Sequence, residues 1–379
     1  GTGFPADASK TKIECDVKVI WNGDGIYNSL TDMAGNANVY YDRKAIMNYR
    51  GSTSRTFAKK PFAFATGKKN LEDGVVKKGN YAMFGLPEGK DWILFPSYGD
   101  KSMIRNKLAM NLYSEMGYYA SSMRYVDLYI DGDYRGVYVF MEKYDVGTGR
   151  INITQDFDTA EPQQIGYVYK LDKTSSKDDA ICWFRTTTNC GGLCGIGGCG
   201  VENYDNQGTS MRYELVYPED DAVNFSDKMS YIQDEISKFE KALNAASTDD
   251  DFAAIYQNQI SMLSFADYFI IAELAKVSDA YRISMFFYKD AGGKIKCSPI
   301  WDYDMGFGNS TTHGSFNTNT WQYSTSEMNE TAFPIPFWWN KLMTNACFKS
   351  VVRTRWEELR KNVLSYSNIE SIINDAATV

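Results

Sequence analysis

The sequence predicts an α+β fold, with an antiparallel β-rich first part and a mainly helical second part. Residues 11–98 hold short runs of β-branched and aromatic residues separated by glycine-rich turns. Beyond residue 226, apolar residues recur at three- and four-residue steps instead. At 379 residues, 44% hydrophobic and 15% aromatic, the chain can bury one large core or two modest ones.

Val17-Lys-Val-Ile-Trp21, Val39-Tyr-Tyr41 and Phe62-Ala-Phe64 read as strands of one antiparallel layer. Ile104, Leu108, Leu112 and Met116 then recur every fourth residue ahead of Gly117, the pattern of an amphipathic helix closed by a C′ glycine. A hairpin follows, with Val126, Leu128 and Ile130 on one strand, Asp131-Gly132 in the turn, and Val137, Val139 and Met141 on the return. Strands at Tyr167–Leu171 and Tyr213–Tyr217 flank a polar, glycine-rich insertion at 173–210. Ser226 caps a helix whose apolar face is Met229, Ile232, Ile236, Phe239 and Leu243. Ser264 and Asp267 form a Ser-x-x-Asp box at a second helix, apolar around most of its circumference and therefore buried. Residues 331–377 are helical again, anchored by Trp338, Trp339 and Trp356.

Composition narrows the chemistry. Lys+Arg 40 against Asp+Glu 48 leaves a net charge of −8, with no basic stripe of the kind that nucleic acid or an anionic membrane requires. No apolar run approaches the roughly 18 residues of a membrane span. Residues 1–5 have neither the charged nor the apolar region of a leader, and a leader already removed stays open as a reading. The one histidine, His313, excludes a multi-histidine zinc centre and reads as a residue of an exposed loop, with substrate contact as the alternative. Carboxylates, lysine and arginine must carry the chemistry. Cys182, Cys190, Cys194 and Cys199 lack the paired C-x-x-C knuckle of a zinc site, and two local disulfides in an exported protein are preferred. Cys297 reads as a buried thiol.

Residues 277–304 read as two strands, 283–289 and 294–301, joined by Asp290-Ala-Gly-Gly293. A turn centred between residues 291 and 292 makes paired positions sum to about 583, which sets Asp279 opposite Asp304 and Asp302 one pair away. Opposed Cα atoms are about 4.5–5.5 Å apart, so two or three carboxylates converge there, and Mg²⁺ or a neighbouring cation would relieve their repulsion. The plainer account is solvated turn residues. Gly51-Ser-Thr-Ser54 is an amide-rich turn with Lys59 and Lys60 at the next strand, suited to phosphate or simply a hairpin with edge lysines. Arg105 and Asn106 open the first helix, facing a ligand or capping backbone.

At these residues the chain resembles the CotH kinase family, the spore-coat and secreted relatives of the protein kinases. The pieces, in the family's order, are Tyr49-Arg-Gly-Ser-Thr-Ser54 with Phe57-Ala-Lys-Lys60, Asp100-Lys-Ser-Met-Ile-Arg-Asn106 through Gly117, Tyr134-Arg-Gly-Val-Tyr-Val-Phe-Met-Glu142, Tyr169-Lys-Leu-Asp172, and Asp279 followed by Trp301-Asp-Tyr-Asp-Met-Gly-Phe-Gly308. The resemblance implies a two-lobed kinase-like fold, with a β-rich lobe at 1–145 that includes one helix and a mainly helical lobe at 146–379. It also implies transfer of the ATP γ-phosphoryl to Ser or Thr of a surface or secreted protein, with Mg²⁺ or Mn²⁺. Lys60 would be the phosphate lysine, with Lys59 as the register alternative. Asp279 would stand at the catalytic-loop aspartate, and Asp302 at the metal-binding aspartate with Asp304 beside it. Arg50, Gly51, Ser52 and Ser54 would cover the nucleotide, Glu142 would lie at the adenine-side linker, and Arg105 would sit behind the phosphates. Where the family carries a second metal-binding asparagine, this chain has Ser284, a poorer ligand. That departure leaves two readings open, an active kinase and a catalytically silent surface adhesin or scaffold.

Overall fold

The computed structural model describes residues 11–31, 39–68, 76–172, 182–186, 212–325 and 335–378. The chain divides into two compact units: residues 1–103, 121–150 and 374–379 form one, and residues 104–120 and 151–373 the other. The fold is α+β, with an antiparallel β-sheet unit and a second unit that holds most of the helix, as the sequence predicts.

The first unit is a six-stranded antiparallel sheet in the order β1-β2-β3-β4-β6-β5. Its strands are β1 Ile13–Ile20, β2 Val39–Tyr49, β3 Phe62–Thr66, β4 Asp91–Phe95, β5 Met123–Ile130 and β6 Asp133–Glu142. Alternation along β2 and β3 sends Tyr41, Ala45, Met47, Phe62 and Phe64 into a core shared with Phe84, Trp92, Tyr138 and Phe140. The rings of Phe84 and Phe140 meet edge to face at 5.0 Å. The β5–β6 turn falls at Asp131-Gly132 as predicted, with both residues at positive φ, as a tight hairpin turn requires.

The second unit contains α1 Arg105–Glu115, then a five-stranded antiparallel sheet ordered β11-β10-β7-β9-β8. The strands are β7 Tyr167–Leu171, β8 Trp183–Arg185, β9 Arg212–Tyr217, β10 Met285–Lys289 and β11 Lys296–Cys297. Around it lie α2 Phe225–Ala245, α3 Asp249–Asn258, α4 Met262–Ala275, α5 Phe337–Leu342 and α6 Ala346–Leu359, and α7 Tyr366–Ala377 follows. Trp338 sits at the centre of the core, edge to face with Phe239 at 4.8 Å and with Phe287 at 5.3 Å. Its indole N–H donates to the buried Glu240 carboxylate, which also accepts from Tyr213.

Several local expectations shift. Helix α1, read with the β layer, belongs to the second unit, because its buried face is used there: Tyr113 donates to the Cys297 carbonyl and Asn106 accepts from the Tyr303 amide. Helix α2 starts two residues early, after Asn224 at positive φ, so Ser226 lies inside it and is not its cap. Ser261 caps α4 by accepting from the Ser264 amide, and Asp267 is instead buried in mid-helix, paired with Arg355 at 2.8 Å and bonded by Tyr118. Cys190, Cys194, Cys199 and nearly all of the 173–210 insertion lie outside the described residues. Among the described residues no helix is long and apolar enough to cross a membrane.

Candidate functional site

In the first unit, the turn after β2 is organised by Gly51. Its φ of +89° is a left-handed conformation that glycine adopts freely, and a Cβ there would lie 2.1 Å from the Ser54 hydroxyl oxygen. Residues Thr53–Thr56 make one 3₁₀ turn. Arg55 Nε donates back to the Gly51 carbonyl at 2.7 Å, and Lys60 Nζ donates to the Arg55 carbonyl at 2.8 Å. Lys60 is thus folded onto the Gly51–Ser54 turn. Lys59 goes elsewhere: its ammonium donates to the Val137 carbonyl on β6 and lies over the Tyr138 ring at 4.5 Å. Burial, reinforced by Lys101, pushes the Lys59 ammonium below the ordinary lysine range. Arg50 stands at the end of β2, its amide donating to the Pro61 carbonyl, and Ser52 is exposed.

Glu142 ends β6 and is fully buried. Its carboxylate accepts from the Ser122 amide and faces the Arg150 guanidinium at 3.3 Å, while Arg150 also donates to the carbonyls of Pro87, Glu88 and Lys143. Burial pushes the Glu142 carboxyl up, with Ser122 and Arg150 opposing it. The pair braces the loops beside β6.

In the second unit, the loop after α4 carries Asp279. Lys276 terminates the helix in the left-handed region, and Ala280 N–H donates to Val277 O, and Ile283 N–H to Asp279 O, so the segment turns like a helix before β10 begins. Tyr281 is fully buried and donates to Glu273. The hairpin register sums to 584, from Phe287↔Cys297 and Tyr288↔Lys296, one more than expected. The strands are also shorter than expected. The Ser298 amide still bonds to Phe286 O, but Pro299 has no N–H to continue the ladder, and on the other side the turn at 277–283 replaces extended chain. Asp279 and Asp304 are therefore not cross-strand partners. Among the described residues no three His, Cys, Asp or Glu side chains form a group that could hold a metal, so the three-carboxylate convergence is not formed.

A backbone link does the joining instead. Phe307 N–H donates to Ala275 O at 2.6 Å, and Gly306 packs against Val277, where a Cβ would lie 2.9 Å from the Val277 side chain and 3.1 Å from Ala275 O. The Asp302 loop is thereby fastened to the end of α4, four residues ahead of Asp279. Helix α1 braces the same loop: Asn106 Oδ1 accepts from the Tyr303 amide at 3.2 Å, and Arg105 Nε is 3.5 Å from Phe307 O. Both residues hold backbone groups of this loop. Asp302 itself has φ 66°, opening a 3₁₀ turn at Tyr303–Met305, and Asn309 holds the Asp304 carbonyl. Lys276, Tyr281, Ser284, Asp302, Phe307 and His313 all have positive φ, a conformation that costs a non-glycine residue about 1 kcal/mol or more and collects at functional sites.

Asp279 is paired by a residue that the sequence reading passed over. Arg282 NH2 lies 2.6 Å from Asp279 Oδ1 and 3.2 Å from His313 Nδ1. The i, i+3 spacing of Asp279 and Arg282 was a visible signal for the first contact; nothing in the chain order announces the second. His313 is correspondingly half-buried and not a fully exposed loop residue.

The half-buried Asp302 and Asp304 carboxylates and the Ser284 hydroxyl are hard oxygen donors, which suit Mg²⁺ or Mn²⁺ and not zinc. By donor type they suit an ion that is commonly held by one or two carboxylates together with substrate phosphates. No curated protein matches the chain. The family described as CotH kinase protein matches residues 47–379, a span that takes in the Gly51 turn, both lysines and the Asp279 and Asp302 loops. The chain belongs to the CotH kinase family.

Proposed function

We propose that the chain is a protein kinase that transfers the γ-phosphoryl of ATP to a Ser or Thr hydroxyl of a surface or exported protein, with Mg²⁺ or Mn²⁺. The observation that supports it most directly is the Phe307–Ala275 link, which fastens the Asp302 loop beside the segment leading to Asp279. Phosphoryl transfer is chiefly positioning and charge neutralisation, and it needs no histidine. Asp279 orients the acceptor hydroxyl and takes its proton as the new O–P bond forms. The bond from the γ-phosphorus to the bridging oxygen breaks, and its electron pair leaves on ADP. Asp302 and Asp304 are the residues that would hold the divalent ion, which supplies neutralising charge to the phosphates when bound. Lys60 serves the phosphates from the Gly51–Ser54 turn, where Ser52 and Ser54 stand beside its ammonium's anchor, with Arg50 preceding them.

Incubation with labelled ATP and Mn²⁺ tests the reading. Wild type should incorporate or transfer label and Asp302→Ala should not, and ATP at 100 times its dissociation constant should stabilise the wild type by about 2.7 kcal/mol. Equal label in both proteins with no ATP-dependent rise in melting temperature would leave a silent relative, for which Ser284 is the ready explanation.

A further inference from the structure

We infer that Arg282 and His313 are positioning residues that hold the Asp279 carboxylate in the orientation needed to receive the acceptor's proton, an inference that rests on the phosphotransfer reading above. Arg282 is only 5% exposed and is fixed on three sides. Its Nε donates to Ser278 O at 3.1 Å, and its NH2 reaches Asp279 Oδ1 at 2.6 Å and His313 Nδ1 at 3.2 Å. A guanidinium carries donors only, so at that contact the imidazole must accept. The ring is therefore neutral, with its proton on Nε2.

The arrangement divides the work of the carboxylate. Oδ1 is taken by Arg282, while Oδ2 makes no hydrogen bond among the described residues and the side chain keeps 28% exposure. One oxygen is locked and the side chain still meets solvent, as a proton acceptor requires. His313 is itself held from behind: its backbone is left-handed at φ 55°, Gln322 Nε2 donates to its carbonyl at 2.9 Å, and Gly314 packs on Thr325. Loss of the imidazole leaves a buried guanidinium N–H without that acceptor and free to swing, and the carboxylate swings with it. Small displacements of a reacting group are costly in rate, which is why a residue that never touches substrate can govern turnover.

The test uses the full chain and substitutes the histidine, because removing the buried Arg282 risks the fold. Asn is the informative replacement: its Oδ1 accepts where Nδ1 does, and asparagine tolerates positive φ. His313→Ala should lower kcat roughly tenfold with KM for ATP unchanged, and His313→Asn should restore kcat to within about twofold of wild type. Alanine equal to wild type, or asparagine no better than alanine, would overturn the inference and leave the kinase reading standing. Absence of transfer in wild type would instead remove the kinase reading. A measurement independent of activity decides the pairing in either event. The ¹⁵N spectrum of the chain's one imidazole at pH 8 should show the proton on Nε2, and a proton on Nδ1 contradicts the contact with Arg282.

Discussion

Asp279 was singled out by a strand register that the structure does not keep, and by the resemblance to the family. Its environment was not legible, because Arg282 and His313 reach it through turns whose geometry depends on positive-φ residues such as Tyr281 and Ser284. The same limit explains the register argument for Asp304. A two-residue periodicity can be extrapolated only while the chain stays extended, and at Pro299 and at the 277–283 turn it does not. At this scale the prediction is kinetic. Asp279→Asn keeps the shape and the Oδ1 contact with Arg282 but removes the proton acceptor, and should reduce kcat by about 10²-fold or more while KM for ATP stays within a small factor. A comparable fall in ATP affinity, measured by titration, would place Asp279 in nucleotide binding instead.

Elements with a clean period were read correctly: β2, β3, the β5–β6 hairpin and α1 owe their form to side chains one can count along the chain. Caps were read less well. Ser226 and the Ser264–Asp267 pair have the right residues in the right order, yet the helices start at Phe225 and Met262, with Asn224 and Ser261 at their N-cap positions. Conversely α3 was passed over, although Thr248-x-x-Asp251 announces it. Thr248 accepts from the Asp251 amide and the Asp251 carboxylate accepts from the Thr248 amide, closing a reciprocal box. The Ser247 amide and then the Thr248 amide, both donating to it, hold the Asp251 carboxyl down at about 2, against a usual 3.8. A depressed carboxyl contributes stability that is complete above the unfolded-state value and is lost as pH falls through the folded one. Asp251→Asn should therefore be less stable than wild type at neutral pH, and the gap should narrow as pH is lowered from about 4 towards 2. Urea midpoints across that range check it; a gap independent of pH would mean that the box is open in solution.

For the molecule as a whole, composition and periodicity anticipated the α+β class, because aromatic residues recur at core spacing in both parts. They did not anticipate that α1 departs from the strands around it in sequence, since chain order says nothing about which unit a helix's buried face will choose. The second unit's core is built on ring contacts around Trp338, and Phe239 is fully buried against Phe265 and Trp338. Phe239→Ala should cost about 3–5 kcal/mol, seen as a lower urea midpoint at unchanged slope. A loss under about 1 kcal/mol would show that this core can collapse around the gap.

The link between Phe307 and Ala275 joins main chain to main chain, so it is written in no side chain except the missing one at Gly306. A lineage can then rewrite the residues around Asp279 and Asp302 without parting the two loops. A substitution at position 284 is expected to leave this link in place, because neither of the link's atoms belongs to a side chain.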